Sequence, residues 1–184
     1  YELTVAAVGN AMDNGAELRL NFEVKSITKT ENGFLVCSDG GSVASRFVVN
    51  AAGIYSDSVA AMVGDNSFTV TPRRGEYILL DKECGGLVSH TVFRTPTKAG
   101  KGILVSPTVD GNLLTGPTSQ NIDNKDDKST TSEGFAQIMR EAAEDVKGIA
   151  FNKTITSFCG LRAVGSTGDF IINSPLEGFI NAAG

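Results

Sequence analysis

The 184-residue sequence predicts a two-part α/β (α+β) fold, and three features carry that prediction. Around residues 47–57 an apolar run ends at Gly53, and Ser56-Asp57 opens an amphipathic stretch. That order is strand, glycine turn, helix. Ahead of it, strand-like runs are joined by tight turns at Asn32-Gly33 and Asp39-Gly40-Gly41, the pattern of a β-meander. From Phe68 onward the apolar runs are short, β-like and separated by Gly or Pro, as in an antiparallel sheet.

In chain order, residues 3–14 are rich in Ala and stop at Asn14-Gly15, which predicts a short helix packed closely on a neighbour. Alternation over 18–28, 34–38 and 46–51 predicts the three strands of the meander, followed by the helix opening near Ser56. Residues 70–80, 91–94, 102–105 and 112–115 supply the strands of the second sheet. Thr130 and Glu133 have capping-box spacing. Behind them Phe135, Ile138, Met139, Ala142, Ala143 and Val146 recur at helical steps, and Gly148 ends the stretch. This stripe is a packing face. Residues 170–172 and 179–182 are the last strand candidates. The motif [V/I]-N-A-A-G occurs twice, at 49–53 and 180–184, and no helix pattern follows the second copy.

The totals narrow the function. With 41% hydrophobic residues the chain can bury a core, and a net charge of −5 argues against nucleic acid or an anionic membrane as partner. No apolar run is long enough for a transmembrane segment. The mixed charges at 123–128 (DNKDDK) are expected in a solvated loop. Cys37, Cys84 and Cys159 lie far apart without a C-x-x-C, and His90 is the single histidine, so neither a metal site nor a disulfide framework is supported. Free thiols suit a reducing, cytoplasmic setting.

No G-x-G-x-x-G, Walker, H-E-x-x-H or G-x-S-x-G motif is present. Two stretches carry chemistry. Arg73-Arg74 stands just before a predicted strand, where an exposed basic turn and an anion site are both open readings. Arg162 sits between apolar residues and glycines in C-G-L-R-A, where a long cation must reach water or meet an anion. A guanidinium fork suits carboxylate or phosphate. Arg74 and Arg162 are therefore the candidate anion sites, and the residues alone give no reaction.

Together these motifs resemble the FAD-dependent oxidoreductases of the D-amino-acid oxidase type, which include glycerol-3-phosphate dehydrogenase and L-2-hydroxyglutarate oxidase. The likeness runs in order through AMDNGAELRLNFEVKSI, FVVNAAGIYSD, PRRGEYILLD, KGILVSPTVDGNLLTGPT and FCGLRAVGSTGDFIINS. It implies a partial FAD-binding Rossmann-like domain with a β-meander at 1–67. An antiparallel-sheet substrate domain follows at 68–160, and 161–184 return to the FAD-binding domain. Both NAAG strands would feed turns toward one cofactor, and the principal phosphate-binding loops would lie beyond either end of the chain. The expected cofactor contacts are Val24 at the adenine, Ala52 and Gly53 beside the ADP half, and Gly184.

The resemblance further implies that Arg162 holds the anionic group of a small substrate, with Arg74 and Tyr77 bordering the same pocket. FAD would be held by the full-length protein and not by these 184 residues alone. The preferred reaction is oxidation of sn-glycerol 3-phosphate to dihydroxyacetone phosphate by hydride transfer to FAD. The R-G-E-Y and G-L-R-A motifs are nearer the 2-hydroxyglutarate branch, so oxidation of L-2-hydroxyglutarate or an amino acid is one alternative. A flavin-independent anion-binding module is another. The base and the electron acceptor stay open, and the expected location is cytoplasmic, with peripheral membrane association of the parent left open.

Overall fold

The computed structural model describes residues 1–95 and 102–184. Helix α1 (Glu2–Asp13) follows the Ala-rich run and ends at Gly15, whose φ of +90° is the left-handed stop expected there. The close packing expected of it is not made within this chain, because none of its residues is buried and Leu3 is 85% exposed. Strand β1 (Ser26–Thr30) begins later than the alternation at 18–28 suggested. Asn21 adopts φ +56°, and this left-handed kink prevents one extended run.

The meander consists of β1, β2 (Gly33–Ser38) and β3 (Gly41–Ser45), antiparallel in the order β1–β2–β3. Its third strand is therefore the segment after Asp39-Gly40, and not residues 46–51. Gly33 is obligatory at the first turn, since a Cβ there would lie 2.1 Å from the Ser45 carbonyl oxygen. Phe34 fills the underside and meets Phe179 at a ring-centroid distance of 6.2 Å.

Strand β4 (Val48–Asn50) leaves the meander for a second sheet, in the order β10 (Ile171–Leu176), β11 (Phe179–Ala183), β4. A one-turn 3₁₀ helix, Gly53–Tyr55, then leads into α2 (Ser56–Ala61). The NAAG repeat now has a structural meaning. β11 and β4 run parallel with Ile180 opposite Val49 and Asn181 opposite Asn50, so the two copies lie side by side in register. Both asparagines are buried, and Asn50 Nδ2 donates to Asn181 Oδ1 at 2.9 Å.

The third sheet is built on β5 (Val70–Leu80). One edge of β5 pairs with β7 (Leu113–Gly116), which in turn pairs with β6 (Leu104–Pro107), and with the short β8 (Gln120–Asn121). The other edge pairs with β9 (Thr154–Gly165) along its whole length. Residues 91–94 contribute only an isolated bridge, Val92 to Val105. Lys101, where the expected hairpin motif begins, lies outside the described residues. β9 crosses the 160/161 division without a break, so Arg162 belongs to the sheet of Tyr77.

Helix α3 (Ser132–Asp145) covers one face of this sheet. Its cap is Thr131, one residue later than the capping-box spacing placed it, with Thr131 Oγ1 accepting from Gly134 N–H at 3.0 Å. Ile138 and Ala142 are buried against Ile78, Leu80, Val105 and Leu113, with Phe135 and Met139 at the margin. Burial of Ile138 alone contributes about 2 kcal/mol. The buried carboxylate of Glu76 accepts from Thr131 N–H at 2.8 Å, where the positive helix end favours it. Gly134 makes this possible: a Cβ there would come within 1.2 Å of Glu76 Oε2.

The charge run at 123–128 is a strap rather than a freely solvated loop. Lys125 pairs with Asp57 on α2, Asp126 accepts from the Tyr55 hydroxyl, and Asp127 pairs with Arg74 on β5. It thereby ties the NAAG–α2 unit to the sheet built on β5. Burial pushes the Asp57 carboxyl up, but hydrogen bonds from Lys125, Val70 N–H and Ser58 N–H outweigh it and hold the group below its ordinary value of 3.8. A depressed folded-state value stabilises above the unfolded value, and that stabilisation disappears as pH falls through the folded one. Asp57→Asn should therefore cost about 1 kcal/mol at neutral pH, and the gap from wild type should close below about pH 4. Thermal melts of both proteins from pH 7 to pH 3 check this, and a gap that widens on acidification would contradict it.

Candidate active site

Alternation along β5 and β9 decides what each face carries. Ile78 and Leu80 face the core under α3, so Arg74 and Glu76 share that face. Arg73, Gly75 and Tyr77 point the other way. Pairing across the strands sets Arg73 opposite Arg162, Gly75 opposite Gly160, and Tyr77 opposite Phe158. This face thus has a cationic end, a floor without side chains and an aromatic end. The Tyr77 and Phe158 rings stack at 5.2 Å between centroids with 14° between planes.

A cavity of about 800 Å³ is lined by Arg73, Tyr77, Pro117, Thr118, Ser119 and Arg162, and reaches Arg94, Gln137 and Glu141. Each cation of the face is held by the segment linking β7 to β8 and by β8 itself. Arg162 Nη2 donates to the Thr118 carbonyl at 2.8 Å, and Arg73 Nε donates to Asn121 Oδ1 at 2.8 Å. Neither guanidinium has a carboxylate partner among the described residues. Arg94 differs, since Glu144 and Asp145 neutralise it. Like charges directly opposed on antiparallel strands destabilise the pair by up to about 1 kcal/mol. Two opposed guanidiniums in one cavity, with no carboxylate partner among the described residues, are a candidate site for an anion.

The structure brings Arg162 and Tyr77 together, as expected, and removes Arg74 from them. Arg74 is buried on the core face and is ion-paired with Asp127. Hydrogen bonds from the Ser129 hydroxyl and N–H, with Arg74 assisting, hold the Asp127 carboxyl below the ordinary carboxylate range. The guanidinium in the cavity is its neighbour Arg73. The sequence did not show which of the two arginines faces the cavity, because Tyr77-Ile78-Leu79-Leu80 is apolar at every step and does not reveal which face is core. Burial pushes the Cys159 thiol up, which suits packing rather than nucleophilic attack. His90 is exposed, and among the described residues its ring bonds to Ser89 alone. Among the described residues no group of His, Cys, Asp and Glu could hold a metal ion, and no helix is long and apolar enough to cross a membrane.

The second feature is the edge where the NAAG strands end. Parallel pairing brings Ala52-Gly53 and Ala183-Gly184 to the same end of the sheet. Gly53 has φ +58° and open space where a Cβ would be, and Ala51, Ala52 and Gly53 are all exposed. Gly184, at φ +109°, is backed by the 169–171 segment, with Asp169 O 2.9 Å from a Cβ position. Val24 packs beside Ile27, Phe34 and Phe179 under the meander. Bare, exposed backbone at a strand-to-helix turn is the surface a dinucleotide can approach.

The family of FAD dependent oxidoreductases designated DAO matches residues 1–184. The chain belongs to that family. It is 43% identical over 186 residues to the glycerol 3-phosphate dehydrogenase of Caloramator mitchellensis, covering 100% of this chain and 39% of that relative. The FAD-bound, dithionite-reduced L-alpha-glycerophosphate oxidase of Mycoplasma pneumoniae superposes with a TM-score of 0.82 at 31% identity, over 94% of this chain and 47% of that one. Glycine oxidase of Bacillus cereus shares the fold at TM-score 0.84 and 21% identity, over 100% of this chain and 49% of that one. The chain therefore spans less than half the length of these relatives. FAD is the family's cofactor, and the residues at the NAAG edge fit a dinucleotide, with Ala52, Gly53, Gly184 and Val24 as its proposed contacts.

Proposed function

We propose that this chain is the substrate-binding and inner cofactor-binding part of a flavoprotein that oxidises sn-glycerol 3-phosphate to dihydroxyacetone phosphate by hydride transfer to FAD. The observation that carries the reading is Arg162, a cation with no carboxylate partner among the described residues, in a cavity it lines together with Tyr77 and Thr118. Its likeness to a glycerol 3-phosphate dehydrogenase along the whole chain supports the same choice.

When bound, FAD supplies the two-electron redox chemistry. The chain's own residues bind and orient. Arg162 holds the anionic end of the substrate, and its bond to the Thr118 carbonyl fixes the direction of the fork. Gly75, where a Cβ would come within 3.3 Å of Arg162 Nη2, lets the guanidinium lie close over the sheet, and Tyr77 lines the same cavity. Orientation of this kind is worth several kcal/mol of the barrier.

The test uses the full-length protein, purified and kept free of oxygen. Glycerol 3-phosphate should bleach the oxidised flavin absorbance in seconds to minutes, and L-2-hydroxyglutarate should leave it unchanged. Bleaching by L-2-hydroxyglutarate alone would move the enzyme to the hydroxy-acid branch. A protein that binds glycerol 3-phosphate and carries no flavin would be an anion-binding module instead.

A further inference from the structure

Arg73 is left unexplained by a substrate that needs only one anchor. Its side chain lies on the cavity face, directly across from Arg162 on β9 and beside Asn121 on β8. Asn121 takes only its Nε–H, at 2.8 Å, so the terminal nitrogens keep their donors. Arg162 is arranged alike, with one donor given to the Thr118 carbonyl. Two forks, each fixed by one neutral acceptor from the same short segment, stand on one row of the sheet. The one carboxylate lining the cavity among the described residues, Glu141, is engaged by Gln137 and Arg140. A fold gains nothing from opposing two bare cations, and an anion between them removes the conflict.

We propose that Arg73 is a specificity-determining residue that forms, with Arg162, a two-guanidinium clamp for a phosphomonoester dianion. This rests on the reading of the site given above, and it adds the charge class of the substrate and the residue that sets it. One fork satisfies a carboxylate with two parallel hydrogen bonds. A phosphate dianion offers three oxygens and about two charges, enough for both forks at once. A monocarboxylate would leave one of the two guanidiniums unpaired.

The test compares full-length wild type with Arg73→Gln and Arg73→Lys. Inorganic phosphate is titrated by calorimetry, and turnover of glycerol 3-phosphate is measured separately. Arg73→Gln should weaken phosphate binding and raise KM by about 30-fold, with kcat changed less than threefold, and Arg73→Lys should recover part of the loss. Without ligand, Arg73→Gln should melt at or above the wild-type temperature, because a like-charge contact is gone. A purely structural arginine would give a lower melting temperature instead.

Wild-type-like phosphate binding by Arg73→Gln, or no phosphate binding by wild type, would overturn the clamp. Should Arg73→Gln not fold, Arg73→Lys carries the same test through its partial loss. If phosphate binding depends on Arg73 while glycerol 3-phosphate leaves the flavin oxidised, the clamp stands and the proposed reaction fails.

Discussion

For the proposed oxidation of glycerol 3-phosphate, Arg162→Ala in the full-length protein should raise the Michaelis constant by about 30- to 700-fold, and kcat should fall as well. The size follows from the chemistry. Arg162 is exposed in this chain, so the size comes from the pair it forms once bound substrate excludes water: losing one partner of such a hydrogen-bonded charge pair costs about 2–4 kcal/mol, and each 1.4 kcal/mol is a factor of ten. The loss reaches kcat because an anchor at the phosphate end also aligns the reacting end. Arg162 Nη2 in addition holds the Thr118 carbonyl, so the Ala variant loosens the segment that fixes Arg73 through Asn121. Arg162→Lys restores charge without the fork and should recover only part of the effect. Steady-state kinetics on the three proteins decide it. An unchanged Michaelis constant for Arg162→Ala would place the anion elsewhere, and the cavity would lose its assignment.

Several elements were legible because local pattern and tertiary use agree. β5 spans the residues its apolar run marked, and α3 buries the stripe at Ile138 and Ala142. The longest strand was not legible. β9 alternates Gly, Cys, Ser and Thr with apolar residues, and both of its faces are partly exposed, so no period stands out. Its strand conformation is imposed by pairing along β5. β3 was hidden for a related reason: Gly41 starts it, and glycine beside a turn signals the turn alone.

Site residues followed the same division. Arg162 and Tyr77 could be named from motifs, whereas Arg73 required the parity of a strand whose neighbours are apolar on both faces. The strap at 123–128 was invisible in principle, because its partners Tyr55, Asp57 and Arg74 lie about fifty to seventy residues away in sequence. Charge composition reports that such a loop can be solvated, and says nothing of what it reaches.

Asn181→Leu should destabilise the full-length protein by about 2–4 kcal/mol, the largest stability loss expected of any single side chain at the NAAG edge. Asn181 is fully buried and uses both ends of its amide. Its Nδ2 donates to Asp65 Oδ2 at 2.9 Å and to Asn173 Oδ1 at 2.8 Å, and its Oδ1 accepts from Asn50 Nδ2 at 2.9 Å. Leucine has similar volume and no donor or acceptor, so it removes all three bonds and takes a partner from the buried Asn50, while Asp65 is half-buried and Asn173 exposed. Asn50 keeps two bonds, donating to the Ser56 carbonyl at 2.8 Å, at the start of α2, and accepting from Ala52 N–H at 3.4 Å. The network therefore holds the paired strand ends to the helix that follows the first glycine turn. A loosened network should move Ala52, Gly53 and Gly184 apart, so flavin content should fall along with the melting temperature. Asn50→Ala and the double variant complete a cycle, and a coupling of about 1–2 kcal/mol is expected between directly bonded groups. Additive losses would mean that the two asparagines serve their own strands separately, and the repeated motif would then owe its in-register pairing to the backbone alone.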